Sequence, residues 1–278
     1  MNRLEARVPL GIFDSGVGGL SVLRSIRRLQ PEQPILYFAD QSHVPYGPRS
    51  LEEVRQFSEA ITHFLLDRGA KLIVVACNAA SAAALQYLRE TFPGVPFVGM
   101  EPAVKPAAET SHTGRVGVLA TPATFQGALY ASVVERFARN VTLLQHTCPG
   151  LVNQIERGEL DTLLTRQILE QALHPMLEQG IDTIVLGCTH YPFVIPLIQE
   201  IAGDTVRVID PAPAVARQVA RLVDTLSFQT PSIVDMPRMQ FFTSGAPRRF
   251  EDLLGRLIAE TGPVQGVEWT DQIICLSK

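Results

Sequence analysis

The sequence predicts an α/β fold of two similar halves, each a mainly parallel sheet flanked by helices, related by a pseudo-twofold axis with a site in the cleft between them. Three observations predict it. Short apolar runs alternate with helical stretches along the chain, the pattern of βαβ units. The chain also repeats itself: RGAKLIVVACNAA from Arg68 reads beside QGIDTIVLGCTHY from Gln179, with Gly69 on Gly180, Ile73 on Ile184, Val74 on Val185 and Cys77 on Cys188, at one constant offset of 111 residues. LGIFDSG at Leu10 echoes VGVLATP at Val116, and FVGMEPA at Phe97 echoes VRVIDPA at Val206. Finally, the chemically interesting residues fall where apolar runs end, and open parallel sheets bind ligands at the C-terminal ends of their strands.

In chain order, apolar runs predict strands over Leu10–Asp14, Ile35–Ala39, Leu72–Ala76, Phe97–Met100, Val116–Ala120, Thr142–Gln145, Thr183–Gly187 and Val206–Ile209, with a last near Gln240–Thr243. Helical patterns fill the gaps: Gly19–Arg28, Leu51–Leu66, Ala79–Glu90, Phe125–Phe137, Thr162–Glu178, Pro192–Glu200, Ala212–Leu226 and Pro247–Glu260. The EPA and DPA stretches at Glu101 and Asp210 read as hinges. One domain is therefore expected over 1–100 plus 211–278, carrying Cys77, and the other over 101–210, carrying Cys188.

Composition narrows the class. With 278 residues, 46% hydrophobic and 19% charged, the chain is globular and long enough for one large or two ordinary domains. A net charge of −4 and the lack of a basic cluster argue against a nucleic-acid partner; RSIRR from Arg24 reads as a helix's polar face. No apolar run approaches the ~18 residues of a membrane span, and MNRLEARVPL lacks the apolar core of a signal peptide, so a cytoplasmic protein without a membrane partner is expected. The four cysteines, Cys77, Cys148, Cys188 and Cys275, are widely spaced thiols rather than a disulfide frame. There is no CxxC pair, and His146-Thr147-Cys148 reads as a strand end, so no metal is expected.

A free cysteine is usually a small buried hydrophobe. Two matched cysteines, each closing an apolar run just before polar residues, are not demanded by burial and point to chemistry. Two thiols on opposite faces of one carbon can invert it: one, as thiolate, removes the proton and the other delivers one to the far face. A helix N-terminus can lower a thiol pKa from ~8.5 into the range ~3.5–7.5. A carbanion formed this way needs donors aimed at the adjoining carboxylate.

A cofactor is not expected. The three lysines, Lys71, Lys105 and Lys278, do not suit a pyridoxal Schiff base, and DSGVGGLS at Asp14 has its glycines at the wrong spacing for a dinucleotide fingerprint. That Gly-rich turn exposes backbone N–H groups that suit a carboxylate, or is simply a tight strand-to-helix turn.

The motifs GIFDSGVGGLSVL at Gly11, YFADQSHVPYG at Tyr37, VVACNAASA at Val74, GMEPAVKPA at Gly99, VLATPAT at Val118, LGCTHYP at Leu186 and VIDPA at Val208 resemble, in order, those of the glutamate racemases, cofactor-independent members of the aspartate/glutamate racemase superfamily. The resemblance covers most of the chain as far as Ala212; after about Thr225 no motif remains. It implies two-base inversion at glutamate Cα, with Cys77 acting on D-glutamate and Cys188 on L-glutamate. Asp14 and His190 would assist the thiols. Glu156, following the Cys148-Pro149 pair, sits where the family has a further assisting acid, although GLVNQI departs from the more hydrophobic family pattern. Substrate contacts would come from Asp14, Ser15, Tyr46, Gly47, Asn78, Thr121, Thr124, Thr189 and His190. A role in supplying D-glutamate for peptidoglycan and a homodimeric state are implied in the same way. One departure stands out: Ala79 occupies the place of a usual Thr, removing a hydroxyl donor that Ser81 or a water would have to replace. The alternative readings are an aspartate racemase or other acidic amino-acid racemase of the same superfamily, which substrate competition separates, and a non-catalytic amino-acid-binding protein on the same scaffold, which would bind ligand without Cα–H exchange.

Overall fold

The structure is a computed structural model that describes residues 9–225, 238–271 and 273–277. In chain order its elements are β1 (Leu10–Asp14), α1 (Leu20–Leu29), β2 (Ile35–Ala39), α2 (Leu51–Asp67), β3 (Leu72–Val75), α3 (Asn78–Thr91), β4 (Phe97–Gly99), α4 (Val104–Thr110), β5 (Arg115–Ala120), α5 (Pro122–Gln126), α6 (Ala128–Phe137), β6 (Thr142–His146), α7 (Leu151–Glu156) and α8 (Leu163–Glu178). There follow β7 (Thr183–Gly187), a 3₁₀ turn (Tyr191–Val194), α9 (Ile195–Ala202), β8 (Arg207–Ile209), α10 (Ala212–Thr225), β9 (Met239–Thr243), α11 (Pro247–Ile258), β10 (Val264–Thr270) and β11 (Ile273–Leu276).

Two sheets result. One has the order β11-β10-β9-β2-β1-β3-β4, the other β6-β5-β7-β8. Within the first, β2-β1-β3-β4 has the same order as the whole of the second, with β1 matching β5 and β3 matching β7. The sequence repeat is thus a repeat of topology. All pairings are parallel except β10 with β11. The central strands β1, β3 and β7 are buried along their whole length, as helices on both faces of a parallel sheet require.

Strand register aims the thiols. Phe13 pairs with Val75, so two residues further on Ser15 comes beside Cys77. In the second sheet Ala120 pairs with Gly187, which brings Thr121 beside Cys188. Both thiols therefore leave the carboxyl edge of a central strand. The two stretches read as hinges, at Glu101-Pro102 and Asp210-Pro211, line one open groove of about 730 Å3, which contains neither thiol.

The helices differ from the sequence pattern in instructive places. The stretch expected as one helix over Phe125–Phe137 is broken at Gly127, which is extended (φ −70°, ψ 138°). A Cβ there would lie 2.6 Å from that of Ala82, so glycine also lets α3 approach closely. The helix expected from Pro192 instead begins as the 3₁₀ turn at Tyr191, with α9 starting at Ile195. Helices α4 and α7, only 7 and 6 residues long, lack a readable period. Strands β10 and β11 extend the first sheet at its edge, where mostly unburied residues replace the apolar run that marks a central strand. Leu226, expected to end α10, and Lys278 lie outside the described residues.

Candidate active site

Cys77 and Cys188 line one cavity. From the first sheet come Ser15 after β1, Pro45, Tyr46 and Gly47 after β2, and Cys77, Asn78 and Ala79 after β3; from the second come Thr121 after β5, Val152 on α7, and Cys188, Thr189 and His190 after β7. The cavity holds about 20 Å3. That is room for roughly one water, which needs ~10–15 Å3.

The surroundings of the two sulfurs differ. Cys77 is the N-cap of α3, its Sγ accepting the Ala80 N–H at 3.5 Å, and it lies 3.9 Å from Ser15 Oγ. The helix N-terminus does not lower this thiol as expected. Burial, then the neighbouring Asp14, push it well above the ordinary range, outweighing the N–H bonds. Asp14 is fully buried, accepting the Gly16 N–H at 2.9 Å on one oxygen and the Thr189 hydroxyl at 3.3 Å on the other. Burial and, to a lesser degree, Glu156 raise its pKa against the opposing pull of His190 and the Gly16 N–H.

Cys188 Sγ is 3.7 Å from His190 Nδ1, and His190 Nε2 is 2.6 Å from Glu156 Oε1. Burial alone would lower the imidazole's pKa, but its bonds to Cys188 and Glu156 win and hold it well above the usual histidine range. That direction favours the charged ring, whose two N–H groups would then face Cys188 and Glu156. Glu156 is only 8% exposed. Burial would favour its acid form, yet bonds from His190, the Val17 N–H (2.7 Å) and Gln41 Nε2 (3.0 Å) keep its pKa below the ordinary value.

The Gly-rich turn acquires a meaning here that spacing alone did not supply. Its Val17 N–H does bind a carboxylate, but that of the protein's own Glu156. A Cβ on Gly16 would lie 1.9 Å from Glu156 Oε1, and one on Gly18 would lie 2.4 Å from His190 Nδ1. The first-sheet turn thus clasps the two side chains that lead away from the second-sheet thiol.

The other candidate residues divide into two groups. Asn78 is buried and faces the cavity with neither Oδ1 nor Nδ2 partnered, a costly state that a bound polar ligand would relieve. Ser15, Gly47, Thr121 and Thr189 also reach the cavity. Tyr46 lines it, but its hydroxyl donates to Asp40 at 2.6 Å. Thr124 lies behind Thr121, 3.0 Å between hydroxyls, and like Asp14 and Glu156 it is not part of the lining. Ser81 cannot replace the hydroxyl missing at Ala79: it donates to Val75 O at 3.1 Å and accepts the Met100 N–H at 2.8 Å, bracing β3 and β4 instead. Cys148 is buried with its thiol pushed up to about 12, and Cys275 is exposed on β11. Pro45, Val152 and Gln41 were not marked by the sequence; nothing local distinguishes them, because their partners lie on other elements.

Comparison with known proteins identifies the family. The family model for Asp/Glu/hydantoin racemases matches residues 18–219. A glutamate racemase of Pseudomonas paraeruginosa is 52% identical over 246 residues, 88% of this chain and 92% of its own. The crystal structure of the glutamate racemase isoform RacE1 from Bacillus anthracis superposes with a TM-score of 0.82 at 32% identity, covering 97% of this chain and 99% of that one. That of Escherichia coli glutamate racemase, in complex with L-glutamate and the activator UDP-MurNAc-ala, gives 0.83 at 31% identity, covering 94% and 98%. The chain belongs to the Asp/Glu/hydantoin racemase family and, within it, to the glutamate racemases.

Proposed function

We propose that the chain interconverts L- and D-glutamate without a cofactor by passing the Cα proton between two thiols. The observation that supports this most is the meeting of Cys77 and Cys188, from equivalent strand ends of two equivalent sheets, at one cavity with different ionic partners. In the L-to-D direction Cys188, as thiolate, takes the Cα proton, and its electron pair stays on the carbon. The Cys77 thiol then gives its proton to the opposite face. Cys188 is left as the thiol and Cys77 as the thiolate, which is the starting state for the reverse reaction.

The two environments suit these parts. The His190 imidazolium sets a positive charge against the sulfur that must act as a thiolate, and Glu156 keeps that charge in place. Cys77, held high by burial and Asp14, rests as the thiol that an acid must be. Asn78 and the Ser15, Thr121 and Thr189 hydroxyls offer the donors that a carboxylate-stabilised carbanion needs. The L-glutamate in the Escherichia coli relative supports glutamate as the substrate.

The same reading divides the chain into two domains, 1–100 plus 211–278 and 101–210, parting at the groove lined by Glu101 and Asp210. Family membership supports a cytoplasmic homodimer that supplies D-glutamate for peptidoglycan.

Incubation with L-glutamate in D₂O, without added cofactor, tests the function. The Cα–H signal is expected to vanish as D-glutamate appears. Exchange of L-aspartate alone would move the substrate to aspartate, and no exchange by folded protein would favour a binding protein. Cys275→Ser is expected to leave turnover within about twofold of wild type, because surface substitutions away from a site change little.

A further inference from the structure

A chain of hydrogen bonds reaches Glu156 from β9, the neighbour of β2 in the first sheet. Thr243, the last residue of β9 and fully buried, accepts the Gly245 N–H on its hydroxyl oxygen at 3.0 Å. Its own proton goes to Gln41 Oε1 at 2.9 Å. With the amide oxygen so occupied, the Gln41 NH2 group is turned toward Glu156 Oε2, which it reaches at 3.0 Å. Gly245 leaves space for this: a Cβ there would lie 2.8 Å from both Gln41 Cβ and Gln41 Oε1.

Glu156 Oε1 is already occupied by the Val17 N–H and His190. Gln41 is the side-chain donor on the other oxygen. The ionisable groups facing the Glu156 carboxylate are His190, Asp14 and Tyr37, while Arg249 reaches its backbone carbonyl at 3.5 Å. Gln41 is a neutral donor in this company, so it can fix the carboxylate without competing with His190 for its charge.

We infer that Gln41 is a positioning residue for the Glu156–His190 pair, its amide set by Thr243 so that one oxygen of Glu156 is pinned and the other is presented to His190. This rests on the two-thiol reading, since its catalytic consequence passes through His190 to Cys188. It also means that β9, added to the repeated sheet unit, takes part in the site without touching the cavity.

The test is the pH profile of Gln41→Glu, which keeps the side chain's shape and replaces the NH2 group with a carboxylate oxygen. Two carboxylates sharing one site cannot both ionise readily, so the acid limb of L-glutamate turnover is expected to move up by at least about one pH unit. Gln41→Met, which cannot donate, is expected to lower kcat roughly tenfold with little change in KM, the scale of one hydrogen bond to a charged group. Thr243→Val, which frees the amide to rotate, is expected to lower kcat less. The ¹⁵N signals of the His190 ring give a readout independent of turnover: their acid-side inflection is expected to rise in Gln41→Glu. An unmoved inflection, or a Gln41→Glu activity profile scaled uniformly at every pH, overturns the inference. Wild-type protein that fails to exchange glutamate overturns the two-thiol reading instead, and the histidine titration still decides whether Gln41 controls Glu156.

Discussion

Cys77→Ser and Cys188→Ser are each expected to reduce racemisation by about a thousandfold or more, the upper part of the range for losing a positioned acid or base. A serine hydroxyl has nearly the thiol's shape but does not ionise at working pH, so folding should survive while proton transfer does not. The two variants should fail differently in D₂O. With Cys77 replaced, Cys188 can still take the proton of L-glutamate and return a deuteron to the same face, giving exchange without inversion. With Cys188 replaced, the same partial reaction is expected for D-glutamate alone. NMR of Cα–H alongside a chiral assay reads both. Wild-type turnover by either variant would sink the two-thiol mechanism, and exchange confined to the opposite enantiomers would reverse the assignment of faces.

Gly16→Ala is the second large effect expected, at a residue with no chemistry of its own. The added methyl would fall 1.9 Å from Glu156 Oε1 and 2.6 Å from its carboxyl carbon, so the carboxylate must move. Moving it breaks the bonds from the Val17 N–H and His190 together. Misplacement by about 1 Å of a group that orients the reacting parts costs around a hundredfold in rate, and kcat for L-glutamate is expected to fall by that order. Gly255→Ala is the matching control. Its Cβ would meet nothing within 4 Å on the exposed side of α11, so activity should be unchanged while stability rises by about 0.5–1 kcal/mol. Steady-state kinetics and thermal denaturation of the pair separate a clash at the site from a general effect of removing glycine. Unchanged kinetics in Gly16→Ala would mean that the position of Glu156 does not matter to the rate.

The central strands of the repeated unit were legible because buried parallel strands must be apolar on both faces, and LGIFD, LIVV and TIVLG announce this without help from the rest of the chain. The ends of those strands were legible for the same reason, and with them Cys77 and Cys188. Strands β10 and β11 were not, since an edge strand with mostly unburied residues carries no such run. What escaped most completely was the set of contacts between distant segments. Gly16 reads as a turn glycine until Glu156, well over a hundred residues later, is seen to fill the space its missing Cβ leaves. Gln41 shows nothing in YFADQSHVPYG that marks it as the partner of a carboxylate on α7. Ser81, the obvious local substitute for the hydroxyl absent at Ala79, turned out to be committed to Val75 and Met100.

The shared strand order of the two sheets has a consequence for ancestry. A chain half this long, folded as β2-β1-β3-β4 alone, would carry a single thiol at the edge of its third strand. Two copies related by a twofold axis would bring two identical thiols to one carbon from opposite sides, a symmetric catalyst for a reaction whose substrate and product are mirror images. Duplication and fusion of such a unit frees each copy to change independently. In the present chain the two copies differ: Asp14 and Ser15 lie beside one thiol, the His190–Glu156 pair lies beside the other, and β9 to β11 extend only the first sheet.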